Sequence, residues 1–336
     1  MVTSALRTKP MDAAVLLNGV TKTFGGTTAV DHLDLVVPRG ALYGFIGPNG
    51  AGKTTTIRMM MSIIFPDSGG LSVLGHKSAL DAKDRIGYLP EERGVYRKMR
   101  VGAFLTYLGR LKGVNEAQLP ARVRRGLERV GLADCERKRC EELSKGMQQK
   151  VQFLAAIIHE PDLLILDEPF SGLDPVSSQG LRTLILDEHR RGATILFSTH
   201  VMPHAEELCD HVVMMHRGKK VLDDPLSTIR RQYDPRAIRF EPLDRDADLS
   251  PLAALPEVER VSQSDGGCEI LLVNGTNPAS AIPRLASAVP AARIEIARPR
   301  LEDVFIRIVT GGSDAADTES LRTQLQAGAE PKAVPV

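Results

Sequence analysis

The chain has 336 residues, with 43 Lys and Arg against 42 Asp and Glu, a formal net charge of +1. That balance leaves no electrostatic footprint for general nucleic-acid binding, and the length suits one large domain with a small one beside it. No uninterrupted apolar run approaches the ~18 residues needed to cross a bilayer, so no membrane-spanning helix is expected in this sequence.

The amino terminus carries Arg7 and Lys9 but only a brief apolar patch at Ala13–Leu17, and it does not read as a signal peptide. Residues 1–13 read as a flexible leader. Short strands follow over residues 14–40: Val15–Leu17, Val20–Phe24, and a stretch in which Leu33, Leu35 and Val37 alternate with other residues. Their turns fall at Gly19, Gly25-Gly26 and Arg39-Gly40.

Leu42-Tyr43-Gly44-Phe45-Ile46 is a short apolar run suited to a buried strand. It leads into Gly47-Pro48-Asn49-Gly50-Ala51-Gly52-Lys53-Thr54-Thr55, which fits the phosphate-loop pattern G-x-x-x-x-G-K-[ST]. Glycines let the backbone turn so that successive N–H groups point inward at phosphate oxygens. Lys53 adds a point charge on the outer phosphates, and the Thr54 hydroxyl suits Mg²⁺. Thr55–Met61 is patterned as a helix, and strand, glycine loop and helix N-terminus together trap a polyphosphate.

Residues 95–160 are helically patterned, with Phe104, Leu105, Leu108 and Leu111 on one stripe. Basic clusters at Arg122–Arg125 and Arg137–Arg139 read first as solvated faces, with partner or lipid contact second. Cys135 and Cys140 lie close in sequence without a second ligand pair, so free thiols are expected rather than a zinc site. Val151, Leu154, Ala155 and Ile158 mark one apolar helical face, and Ser144 and Gly146 stand where that helix begins. A small hydroxyl and exposed N–H groups there can hold an anion. Leu163–Leu166 is a run of aliphatics fit for a strand covered on both faces. Asp167 and Glu168 emerge at its carboxyl end, where open α/β sheets place their ligands. Asp167 suits the Mg²⁺ shell, and Glu168 suits orienting or deprotonating an attacking water. Thr194–Thr199 is a further apolar strand, ending at His200.

Past residue 236 the pattern changes. Val258–Gln263 and Cys268–Val273 flank Ser264-Asp265-Gly266-Gly267, a hairpin signal. Ala279–Ala288 reads as a helix and Arg293–Ala297 as a strand. Leu301, Val304, Phe305 and Ile308 make a helical stripe, with Glu302 and Asp303 in its first turn to suit the dipole. Residues 236–311 are thus expected to form a small α+β accessory domain, and the polar, Ala-rich residues 312–336 a disordered tail.

Taken in order, these elements resemble the nucleotide-binding subunit of an ABC transporter over residues 14–235. Leu143-Ser144-Lys145-Gly146-Met147-Gln148-Gln149 resembles the family's signature loop, Ser171-Gly172-Leu173-Asp174 its D-loop, and His200 its switch histidine. Phe24 stands where the family stacks an aromatic on adenine; packing within the small β region is the competing reading. Two departures are visible. Lys145 and Met147 replace Gly and Gln positions of the signature. Glu91, in Pro90-Glu91-Glu92-Arg93-Gly94, replaces the Gln that links the Mg²⁺ site to the membrane partner; Glu can ligate the ion but loses a donor. The Pro-Glu-Glu-Arg-Gly variant and the segment Leu301–Arg307 resemble an exporter subgroup associated with drug, antibiotic or sodium extrusion.

The resemblance implies an α/β P-loop NTPase of ABC type, with a mixed-sheet core, an antiparallel β subdomain and a helical subdomain at about 95–160. It implies ATP and Mg²⁺ as ligands. Lys53, Glu168 and His200 would act in catalysis, and Gly47–Thr55, Phe24, Ser144–Met147 and Asp174 would bind nucleotide. Thr54, Asp167 and Glu91 would stand near the metal. Expected partners are a separately encoded permease and a second nucleotide-binding subunit, giving a homodimer on the cytoplasmic face of the cell membrane, with no nucleic acid involved. Two other classes stay open: a soluble ABC ATPase acting on a non-membrane partner, and a nucleotide-gated regulatory subunit.

Overall fold

The computed structural model describes residues 13–92, 94–233, 236–264 and 266–310. The expected leader, apart from Ala13, and the expected tail at 312–336 lie outside them, as do Arg93 and Asp265 of the motifs quoted above. Two compact units divide the described chain: one runs to Leu226 and resumes at Phe305, and the other is Ser227–Val304. The sequence places the break near 236; the division found here falls earlier in the chain, and the last helix re-enters the first unit at Phe305.

In the first unit the chain runs β1 (Ala13–Phe24), β2 (Thr27–Pro38), β3 (Leu42–Ile46), α1 (Lys53–Met60), β4 (Ser68–Val73) and β5 (Ile86–Leu89). It continues through α2 (Val101–Leu111), α3 (Leu119–Arg129), α4 (Lys145–Ile157), β6 (Leu163–Asp167), α5 (Pro175–Arg190) and β7 (Thr194–Thr199). Next come α6 (Met202–Leu208), β8 (His211–His216) and β9 (Lys219–Pro225). Six strands form one sheet in the order β5-β6-β7-β3-β8-β9, parallel except for the edge strand β9. Every residue of β3, β6 and β7 is buried, as expected where both faces of a parallel sheet are covered. A second, antiparallel sheet β2-β1-β4 shares a core with α1 and the larger sheet through Leu17, Leu35, Phe45, Ile57 and Leu196. The fold is therefore an α/β architecture with a mixed sheet, an added antiparallel sheet and the helices α2–α4 between β5 and β6.

One expectation for this helical segment needs correction. Leu111 is 57% exposed and does not share the stripe of Phe104 and Leu105. The buried face continues at Gly109 instead, where a Cβ would stand 2.4 Å from Leu119 Cδ2, so a larger residue there would force the Leu119 side chain to shift.

The chain then passes through α7 (Leu226–Gln232) to the second unit. There β10 (Ala237–Pro242), α8 (Ser250–Ala253), β11 (Val258–Ser264), β12 (Gly267–Leu272), α9 (Pro278–Ala288) and β13 (Ala291–Ile296) give an antiparallel sheet ordered β11-β12-β10-β13. Ile238, Phe240, Ile270, Leu272 and Leu285 form its own core. The final helix is α10 (Leu301–Thr310); its Phe305 ring meets His216 edge-on at 5.6 Å.

Candidate functional site

Three parallel strands deliver their carboxyl ends to one place. β3 runs into the glycine loop, β6 ends at Asp167, and β7 pairs Ser198 with Asp167 and ends at Thr199, next to His200. The loop needs its glycines for two physical reasons. Gly47 and Gly52 have φ of +150° and +102°, and a Cβ on either would meet a carbonyl oxygen, Met215 O at 2.3 Å or Ala29 O at 2.5 Å. The N–H groups of Gly50, Gly52, Lys53, Thr54 and Thr55 make no hydrogen bond among the described residues. Ordered backbone donors left unpaired at a helix N-terminus are an anion site.

Lys53 is 6% exposed, and its Nζ donates to Gly47 O at 2.6 Å and Pro48 O at 3.2 Å. Burial lowers its pKa, against the pull of Glu168, Asp167 and Glu91. The Thr54 hydroxyl donates to Asp167 Oδ1 at 3.4 Å, and Ser198 Oγ donates to the same oxygen at 2.5 Å. Burial raises the Asp167 pKa, the Ser198 bond opposes that rise, and the neighbouring Glu168 adds to it. Glu91 is exposed, yet partial desolvation followed by the charges of Asp167 and Glu168 pushes its pKa up as well. A cation among these carboxylates would reverse that sense. Thr54 and Asp167 are adjacent hard oxygen donors beside an amide cradle. That set fits Mg²⁺, which commonly uses one or two protein oxygens with substrate phosphates and water for the rest. Among the described residues, no group of three His, Cys, Asp or Glu forms a cage for a metal.

Glu168 is 7% exposed and sits in the left-handed region at φ +48°, a conformation unusual for a non-glycine residue. Its N–H donates to Ser198 O and Ser198 Oγ, both at 3.2 Å. Its Oε1 lies 2.9 Å from His200 Nδ1 and 3.8 Å from Lys53 Nζ. One carboxylate is thus held between a histidine and a lysine at the edge of the cradle.

The remaining predicted residues lie in two other groups. Phe24 is 49% exposed with Lys22 Nζ 5.3 Å over its ring, so it is a surface aromatic in contact with a cation rather than core packing. Ser144 caps α4 through a hydrogen bond from Met147 N–H at 3.3 Å. Gly146 lies against α5: a Cβ there would stand 2.5 Å from Ser177 Oγ, and Ser177 itself donates to Asp174 Oδ2 at 2.6 Å. The signature loop and Asp174 therefore form one assembly. Among the described residues, no hydrogen bond or ion pair joins Ser144, Lys145, Gly146 or Met147 to the phosphate loop.

Sequence reasoning missed Ser198, Ser177 and Gln149, whose amide donates to Pro169 O at 3.0 Å behind the acidic pair. The signal for Ser198 is a hydroxyl inside an otherwise apolar strand.

Sheet order, amide cradle and paired acids define a P-loop ATP-binding protein of the ABC class. The sequence agrees: residues 30–171 match the model of the ABC transporter family, and residues 225–309 match that of the DrrA1-3-like ATP-binding protein C-terminal domain. An uncharacterized ABC transporter ATP-binding protein, YhaQ of Bacillus subtilis, is 39% identical over 87% of this chain and 97% of its own. The Nod factor export ATP-binding protein I of Cupriavidus metallidurans is 34% identical over 89% of this chain and 98% of its own. A solved ATP-binding subunit of an ABC transporter superposes with a TM-score of 0.61 at 31% identity, covering 66% of this chain and 93% of that one. The chain belongs to the ABC transporter family, as one of its ATP-binding subunits, a kind of subunit that works with separate membrane permease components. No helix among the described residues is long and apolar enough to cross a membrane.

Proposed function

We propose that the chain hydrolyses ATP and that this hydrolysis drives export through a separate transmembrane permease. The observation that carries the reading is the convergence of Lys53, Asp167, Glu168 and His200 at one edge of an unpaired amide cradle. In this reading the amides from Gly50 to Thr55 and the Lys53 ammonium take the phosphates. On binding, Lys53 exchanges its bonds with Gly47 and Pro48 for phosphate oxygens. The exposed ring of Phe24 stacks on adenine.

Glu168 accepts a proton from the water that attacks the γ-phosphorus in line with the departing ADP oxygen. His200 holds the Glu168 carboxylate through Nδ1 and presents its other ring nitrogen to the γ-phosphate side. Thr54 and Asp167 would hold Mg²⁺, with Glu91 as a further nearby carboxylate; when bound, the ion supplies charge neutralisation on the phosphates. Ser144, Lys145, Gly146 and Met147 serve the nucleotide of a second copy, with Asp174 beside them, which makes the working unit a homodimer. The permease would hold that dimer at the cytoplasmic face of the membrane. Export as the direction rests on the exporter-like Pro90–Gly94 segment and on the Nod factor export relative.

Release of inorganic phosphate from ATP by the purified chain tests the reading. Turnover that Lys53→Ala abolishes is expected. A chain that binds ATP without turnover, alone or with membranes holding its permease, would make it a nucleotide-gated subunit instead.

A further inference from the structure

The basic cluster at Arg122–Arg125 does not merely face solvent. Arg122, Arg125 and Arg129, one side of α3, line a cavity of about 130 Å³ together with Arg191, which follows α5, and the carboxylates of Glu160 and Glu188. Its remaining wall is apolar and includes Val123, Leu154 and Ile157. Four arginines line it with two carboxylates, and Arg129 also lies 3.5 Å from Asp187, which leaves an excess of one positive charge.

The carboxylates are already engaged. Glu188 is 3% exposed and takes Arg129 Nη1 at 3.2 Å and Arg191 Nε at 2.8 Å. Arg122 lies 3.5 Å from Glu160 and also donates to Ile158 O at 3.1 Å. Arg125 makes no hydrogen bond or ion pair among the described residues. Arg125 thus lines the cavity at its solvent side with its guanidinium unpaired among the described residues, whereas Arg122 also meets Gln118, Arg129 also meets Asp187 and Arg191 also donates to Pro161 O, beside an apolar wall. Planar guanidinium forks match phosphate oxygens in pairs, and an apolar wall strengthens that attraction by excluding water. The size is also suitable: a cavity of about 150 Å³ admits a benzene ring, so this one takes a phosphate with a few carbon atoms.

We propose that this cavity between α3, α4 and the end of α5 is a second anion site, separate from the nucleotide cradle, and that it binds a phosphate monoester carrying a short apolar group. Such a group is found on soluble alkyl phosphates and at the head of phosphatidic acid. Bound there, it bridges α3 to α5 and draws the helical segment against the sheet.

The test uses the full chain saturated with ADP, so that the nucleotide cradle is filled. Butyl phosphate is titrated by calorimetry, and vesicles of phosphatidylcholine with and without phosphatidic acid are used for co-sedimentation. Wild type is expected to bind at least one of the two probes. Arg125→Ala, an exposed change that leaves the Glu188 pairs intact, is expected to weaken that binding about tenfold. Butyl phosphate binding alone assigns a soluble ligand, and phosphatidic-acid-dependent sedimentation alone assigns a lipid head; both support the site. Absence of binding to either probe, or equal binding by wild type and Arg125→Ala, would overturn it. Arg124→Ala, which removes a neighbouring charge that does not line the cavity, should bind as wild type does; an equal loss in that variant would also overturn it.

Discussion

Two helices in this molecule open at loops suited to phosphate, and they open differently. α1 follows Gly52, has no side-chain cap, and leaves its first amides unbonded. α4 follows Ser144, whose hydroxyl already accepts the Met147 N–H. The first is a cradle complete within one chain. The second satisfies part of its own need, worth about 1 kcal/mol for a cap, so a ligand brought to it must share or displace that hydroxyl. The contrast fits the proposal that one loop binds nucleotide in cis and the other serves a second copy.

The largest effects should fall on the first loop. Lys53→Ala, or Gly52→Ala with its Cβ pressed on Ala29 O, should weaken ATP binding by about 100-fold in calorimetry, since several charge-assisted bonds are lost together. Ser144→Ala in the isolated chain should change that affinity by less than about threefold. Equal losses in the two sets would break the distinction between the loops.

Next in size is Ser198→Ala. It removes the bond that steadies Asp167 and one acceptor of the strained Glu168 amide. Turnover should fall about tenfold with ATP affinity nearly unchanged; an affinity loss of the same size would mean that Ser198 supports the cradle rather than the reacting geometry. Gly146→Ala should slow turnover several-fold, again without loss of ATP affinity, because its Cβ collides with Ser177. Adding Ser177→Ala should restore part of the rate, and no recovery would separate the signature loop from α5.

The smallest effect on activity lies just beyond the other end of α4. His159 donates from Nε2 to Ile86 O at 3.1 Å, its Nδ1 is buried without a partner, and burial followed by Lys112 lowers its pKa to about 4. The unfolded chain takes up that proton near pH 6.5, so stability is fully present above that value and is lost as pH falls toward about 4. The loss from this residue should reach about 3 kcal/mol, and His159→Gln should flatten the acid limb of a denaturation profile while sparing turnover at neutral pH. An unchanged acid limb would contradict the neutral, buried assignment.

Much of the site is legible in the sequence because its chemistry is local. Gly47 to Thr54 must be contiguous to wrap a phosphate, and Asp167 and Glu168 must follow an aliphatic strand to emerge at a sheet edge. What the sequence conceals is contact across the sheet. Ser198 meets Asp167 only because β6 and β7 pair in one register, and a serine in an apolar strand gives no sign of its neighbour. Gly146 reads as a helix-start glycine until α5 is placed against it. Leu111 fits the period of α2 but is its last residue and stands 57% exposed. The cavity under Arg125 is hidden for the same reason: the sequence records the charges of α3, but not the Glu188 that engages two of the cavity's arginines and leaves Arg125 spare.

The central claim is that Glu168 takes the proton of the attacking water and contributes little to the grip on the nucleotide. Glu168→Gln tests it when ATP binding and phosphate release are measured on the same preparation. The expected result is affinity within about twofold of wild type and turnover reduced by about 10²–10³-fold. Wild-type turnover in that variant, or loss of binding in step with turnover, would contradict it.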